Sequence, residues 1–249
     1  MFEGFEHATI DTGEAQIAVT YGGDGPPLLL VHGHPQTHVM WHRVAPRLAR
    51  DFTVVCPDLR GYGDSSKPPT TPDHEPYSKR AIARDHVAVM QKLGFERFGV
   101  AGHDRGGYGA YRLALDHPRR VTRLAVLDIV PAGEAWRRAD QVFMRAWWHW
   151  AFLAQPAPLP ERLLTADPEA YYFRKNRDVF APEALAAYWK AIADPETIHA
   201  MCEDYRANAT IDRLYDEDDR RAGRTLTCPL LVLWAPRDAL GALSGGPLA

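Results

Sequence analysis

Five short apolar runs constrain this chain more than any other feature: "PPLLLV", "FTVVCP", "FGVAG", "LAVL" and "PLLVLW". None shows the polar alternation of a strand with one wet face. A strand without a polar face has to be covered on both sides, as in a parallel sheet packed between helices. Helical stretches stand between the runs: "WHRVAPRLARD", "SKRAIARDHVAVMQKLG" closed by Gly94, and "GYGAYRLALDHP". One alternating segment, "AQIAVTYGG", precedes them. The expected fold class is α/β, a mostly parallel sheet flanked by helices. Ligands of such sheets sit beyond the carboxyl ends of the strands, where His32, Asp58, Asp104 and Asp128 all fall.

From about Pro131 the strands stop until "LTCPLLVLWAP", and the interval is helical and rich in tryptophan, tyrosine and arginine. Two helix starts in it carry a proline inside the first turn, "APEALAAYWKAI" and "DPETIHAMCEDYRANA". The expected organisation is a core over 1–130, an inserted helical cap over 131–222, and the rest of the core over 223–249. The run "DEDDRRAGR" reads as a solvated connection back to that core. A length of 249 residues suits one core with such an insertion. With a net charge of −3, neither nucleic acid nor a membrane surface is an expected partner. No apolar run approaches the roughly 18 residues needed to span a bilayer. The opening "MFEGFEHATIDTGEAQIAV" lacks the basic and apolar regions of a secretory signal. Cys56, Cys202 and Cys228 have no metal-like spacing and read as small buried hydrophobes, so the expected compartment is a reducing cytoplasm.

The stretch "FGVAGHDRGGYG" carries the chemistry. A strand runs into a turn crowded with glycine, and the tip of that turn is Asp104. A nucleophile elbow needs small residues around its reactive side chain, and Gly102, Gly106 and Gly107 supply them. The next backbone N–H, that of Arg105, can join an oxyanion hole, with His34 of the earlier "HGHP" loop as the second donor. Serine is the usual residue at such a tip. Here it is a carboxylate.

In order and wording these segments resemble the α/β-hydrolase superfamily. Within it, "HGHPQT", "PDLRGYGDSSKP", "GHDRGG" and "HWAFLAQP" resemble the haloacetate dehalogenases, including those that act on fluoroacetate. The resemblance runs from near the N-terminus to about Trp234. It implies hydrolytic dehalogenation of small halogenated acids, with water as co-substrate and no metal or organic cofactor. Asp104 would displace halide from a saturated carbon and form an ester, which water would then hydrolyse. Arg105 would hold the substrate carboxylate. Asp128 would orient the catalytic histidine, with Asp238 a rival for that role. His149, Trp150 and Tyr205 would bind the departing halide, whereas Trp147 and Trp148 read as ordinary packing.

Two positions depart from the family pattern. The second arginine of the carboxylate clamp, four residues after the nucleophile, is Tyr108 here, which implies weaker binding of haloacids or a less anionic substrate. The family's histidine follows the last strand, but the eleven histidines of this chain all lie at or before His199. His32 reads as a support of its turn, and neither His103, His117 nor His199 stands at the family's base position. The sequence therefore reads as a C-terminally truncated chain, without the final strand and helix, that is alkylated at Asp104 and then stalls. Two alternatives stay open. An epoxide hydrolase shares the aspartate nucleophile and uses cap tyrosines as acids, for which Tyr171, Tyr172, Tyr188 and Tyr205 are available. A non-catalytic hydrolase-like binding protein would need none of this chemistry. A homodimer is also left open.

Overall fold

The structure, a computed structural model, describes residues 1–173 and 177–235. Seven strands form one sheet: β1 (Glu6–Asp11), β2 (Gln16–Gly22), β3 (Pro27–Val31), β4 (Thr53–Pro57), β5 (Phe98–His103), β6 (Val121–Leu127) and β7 (Leu230–Leu233). Their spatial order is β1-β2-β4-β3-β5-β6-β7. The pairings β1 with β2 and β2 with β4 are antiparallel, and every later pairing is parallel. The fold class is α/β, as the apolar runs predict. The first strand, "EHATID", has charged ends and gave no signal of its own.

Burial accounts for the missing polar alternation. Leu30, Val54 and Cys56 face one side of the sheet, where Trp41 and Ala45 cover them. Leu29, Val31, Val55 and Val100 join a larger core on the other side, with Ile82, Val89 and Leu113. That core is built on α2 (Lys79–Lys92) and α3 (Arg105–Asp116). Ser78 caps α2 by accepting from the N–H of Ala81. Gly94, at φ +88°, ends it, and Phe95 N–H reaches back to Met90 O at 2.8 Å. A single turn, α1 (Ala45–Leu48), lies between β3 and β4.

Between β6 and β7 the described residues form helices and no strands. They are α4 (Ala132–Arg138), α5 (Gln141–Ala146), α6 (Trp148–Leu153), α7 (Leu159–Ala166), α8 (Pro168–Tyr171), α9 (Pro182–Ile192), α10 (Pro195–Ala207) and α11 (Arg213–Arg221). Both expected proline starts appear, Pro182 on α9 and Pro195 on α10. A π-helical turn over Asn208–Asp212 joins α10 to α11. The run read as a solvated connection is largely exposed, but most of it is helix α11, and two of its acids, Asp216 and Asp219, dock on α3. Buried Arg112 donates to Asp216 at 2.8 Å and to Asp219 at 2.5 Å. An ion pair across two helices looks, in sequence, the same as a wet charge run. Asp238 lies outside the described residues. Among the described residues, no helix is long and apolar enough to cross a membrane. Cys56 and Cys202 are buried and Cys228 is half-buried.

Candidate active site

Asp104 stands between β5 and α3 with φ at +50°, a conformation costly for any residue with a side chain. The surrounding glycines make it attainable. A Cβ on Gly106 would overlap the carbonyls of His32 and Val31, and one on Gly102 would overlap the Gly106 carbonyl. Gly33 is constrained in the same way, since a Cβ there would meet the Asp104 side chain. The oxyanion loop and the elbow therefore touch, backbone against carboxylate. His34 N–H donates to Asp104 Oδ1 at 2.7 Å. Arg105 is the first residue of α3, so its N–H has no acceptor within the helix.

The loop that carries His34 is pinned from behind. Leu59 N–H donates to His32 Nε2 at 2.9 Å, which leaves His32 Nδ1 to donate to Gly33 O at 3.1 Å. Both imidazole nitrogens are committed, so His32 supports the turn. Asp58 fixes the far end of the loop. Its carboxylate accepts from the backbone N–H and Nδ1 of His38, at 2.7 and 2.8 Å, and from Asp64 N–H at 3.0 Å. Burial alone would raise the Asp58 pKa, but the bonds from His38 hold it below the usual range. Asp58 is thus a loop clamp, although the sequence places it at a strand end as Asp104 is.

Arg105 is fully buried and already paired. Its Nε and Nη2 donate to the two carboxylate oxygens of Asp204 on α10, at 3.0 and 2.7 Å, and Nη2 also reaches Asp204 O. Nη1 is buried with no hydrogen-bond partner. The guanidinium carbon lies 4.3 Å from the centre of the Tyr205 ring and 5.3 Å from that of Tyr108. Lys79 pairs with Asp204 and lies 3.5 Å from Asp212, while Tyr62 donates to Asp204 at 2.8 Å. Burial would raise the Asp204 pKa, but Arg105 and Lys79 drive it far below the carboxylate range. Sequence reasoning missed Lys79, Asp204, Asp212 and Tyr62. Asp204 directly precedes Tyr205 in "CEDYRAN", and the available hint was that Ala200, Met201 and Ala207, three or four residues away on the same helical face, are apolar.

His149 of α6 and Tyr205 of α10 lie near enough to Asp104 to feel its charge, and Trp150 follows His149 on α6. Trp150 and Tyr205 are buried, and the His149 and Tyr205 rings are 5.8 Å apart. Burial lowers the His149 pKa to about 4 despite the nearby Asp104 charge, so the ring is neutral at pH 7 and carries one N–H. Trp150 packs against Tyr108, Trp136 and Phe143. Tyr108 is buried, and desolvation keeps its phenol neutral by raising its pKa. Trp148 is 41% exposed and packs against Phe152 and Tyr171. Two of the four tyrosines considered as acids, Tyr172 and Tyr205, lie against His34, at ring separations of 6.0 and 5.1 Å. Tyr188 packs instead with Phe173 and Phe180.

Asp128 follows β6, also at positive φ, and its Oδ1 accepts from Ala235 N–H at 2.6 Å. Among the described residues no histidine bonds to it. His117 is the C-cap of α3, and His199 bonds to Glu161.

Residues 26–244 match the family described as alpha/beta hydrolase fold. Over 272 aligned residues the chain is 48% identical to a fluoroacetate dehalogenase from a Burkholderia species, covering 99% of this chain and 89% of that protein. It is 34% identical to a soluble epoxide hydrolase of Corynebacterium sp. (strain C12), over 88% of this chain and 77% of the relative. A solved structure from Nostoc sp PCC 7120, provisionally described as an alpha/beta hydrolase, superimposes with a TM-score of 0.94 at 53% identity, covering 97% of this chain and 84% of that one.

Proposed function

The chain belongs to the alpha/beta hydrolase fold family, and from that premise we propose that it is a hydrolase of carbon–halogen bonds in small haloacetate-type compounds, with Asp104 as the nucleophile. The observation that carries this reading is the bond from His34 N–H to Asp104 Oδ1 at the strained elbow. It leaves Oδ2 as the attacking oxygen. As Oδ2 bonds to the substrate carbon, the carbon–halogen bond breaks and halide departs with the electron pair. Oδ1 becomes the ester carbonyl oxygen, already held by one N–H donor. Water then attacks the ester carbon, and negative charge builds on Oδ1 between the N–H groups of His34 and Arg105. Hydrolysis also requires a base to take the proton from water, which in this reading either Asp128 or Asp238 would orient.

The departing halide is received by N–H and O–H groups of His149, Trp150 and Tyr205. Donors in a buried chamber help most when the leaving group is poor. Burial favours this role for His149, because a neutral imidazole brings a donor without bringing a second cation. Arg105 Nη1 anchors the far end of the substrate. The fluoroacetate dehalogenase at 48% identity supports the choice of substrate class.

A second reading has its own observation. Tyr172 and Tyr205 flank His34 beside the nucleophile, and paired phenols are suited to protonating the alkoxide of an opened epoxide. Chloride release from chloroacetate, measured against diol formation from styrene oxide, separates the two. The dehalogenase reading expects chloride and little diol, with Asp104→Asn silent in both assays. Diol as the main product would replace it with the epoxide reading.

A further inference from the structure

The charges around Arg105 determine what its free nitrogen can recognise. A guanidinium that clamps a carboxylate uses two parallel N–H donors and an uncompensated positive charge. Arg105 has neither to spare. Nε and Nη2 form a two-point pair with Asp204, and only Nη1 is left. Around the nucleophile two buried cations, Arg105 and Lys79, stand against three carboxylates: Asp204, Asp212 and Asp104 itself. Burial raises the Asp212 pKa, with Lys79 opposing, and even a protonated Asp212 brings the balance only to zero. Among the described residues, neither histidine beside the nucleophile adds a positive charge. His34 and His149 are held neutral by burial, with pKa values lowered to about 3 and about 4. Tyr62, Tyr108 and Tyr205 have raised pKa values and stay neutral phenols. A substrate carboxylate entering here adds a further negative charge to a low-dielectric chamber with no net positive charge.

We propose that Asp204 is a positioning residue that leaves Arg105 one free nitrogen, Nη1, with which to meet the substrate, so that the site takes haloacetyl compounds with an uncharged end, such as amides, as readily as the free acids. This rests on the displacement reading of Asp104 and names the substrate class within it. One hydrogen bond from Nη1 to a carbonyl oxygen satisfies the buried donor in either substrate, and the amide brings no charge to desolvate.

The test is chloride release under single-turnover conditions from chloroacetate and from chloroacetamide, with the rate of the Asp104→Asn protein subtracted. For the parent chain the two rates are expected within about tenfold of each other, since a single hydrogen bond discriminates by little more than that. Asp204→Asn keeps an acceptor for Arg105 but removes the compensating charge. It is expected to shift the preference toward chloroacetate by about tenfold or more, read as the ratio of the two single-turnover rates. A parent that uses chloroacetate more than a hundredfold better than the amide would overturn the proposal, as would a variant that loses both substrates equally. If Asp204→Asn does not fold, the parent's ratio decides alone. Chloride from neither substrate would remove the displacement reading and this inference with it.

Discussion

Asp104 holds its place through contacts that a single methyl group would break. Gly106→Ala sets a Cβ against the carbonyls of Val31 and His32 at the end of β3, which helix α3 cannot retreat from without moving the elbow. Overpacking of this kind costs about 1–3 kcal/mol, read as a lower urea midpoint together with lost activity. Tyr108→Arg introduces a cation beside Arg105 and is expected to lower the KM for chloroacetate while leaving that for chloroacetamide unchanged; equal effects on both would refute the charge account of this position. His38 and Asp58 predict a pH dependence. Burial pulls the His38 pKa down, but the hydrogen bond and charge of Asp58 outweigh it and raise the value. A raised histidine contributes stability that is complete below its unfolded value of about 6.5 and fades as pH rises through the folded one. The gap in urea midpoint between the parent and His38→Gln should therefore be widest near pH ~6 and narrow toward pH ~9. A constant gap would assign the pair's worth to packing alone.

Helices α3 and α11 illustrate how an element depends on partners far along the chain. Arg112 on α3 is buried and satisfied by Asp216 and Asp219, more than a hundred residues later. Asp219→Ala leaves that guanidinium short of an acceptor, and hydrogen bonds to charged groups contribute about 1.5–3 kcal/mol. Thermal or urea unfolding should register a loss in that range, and a loss below ~0.5 kcal/mol would mean that Asp216 alone suffices. The same pair marks the limit of what the sequence makes legible. Apolar runs identified the central strands because burial on both faces leaves a direct trace in composition. Gly102, Gly106 and Gly107 betrayed the elbow because only glycine fits there. "DEDDRRAGR" concealed a docked helix, and "CEDYRAN" concealed the acid that occupies Arg105, because ion pairing depends on which residues meet in space. Asp58 showed the reverse error: its place at a strand end matched a site residue, while its bonds are those of a loop clamp.

At the scale of the molecule the outermost strands of the sheet differ among the described residues: β1 has charged ends, whereas Leu230, Leu231, Val232 and Leu233 of β7 are all 38–54% exposed. A cavity of about 570 Å³, walled by Leu124, Val126, Ile129 and Trp234, opens beside them. Helix α10 brings both Asp204 and Tyr205 beside the elbow residues Arg105 and His34. Every role proposed there depends on the carbon–oxygen bond that the displacement reading assigns to Asp104. Its most direct test is peptide mass mapping after exposure to chloroacetate in heavy-oxygen water. The peptide holding Asp104 should gain either one carboxymethyl group or one heavy oxygen, and the Asp104→Asn protein should gain neither. Chloride released while that peptide keeps its native mass would contradict the account.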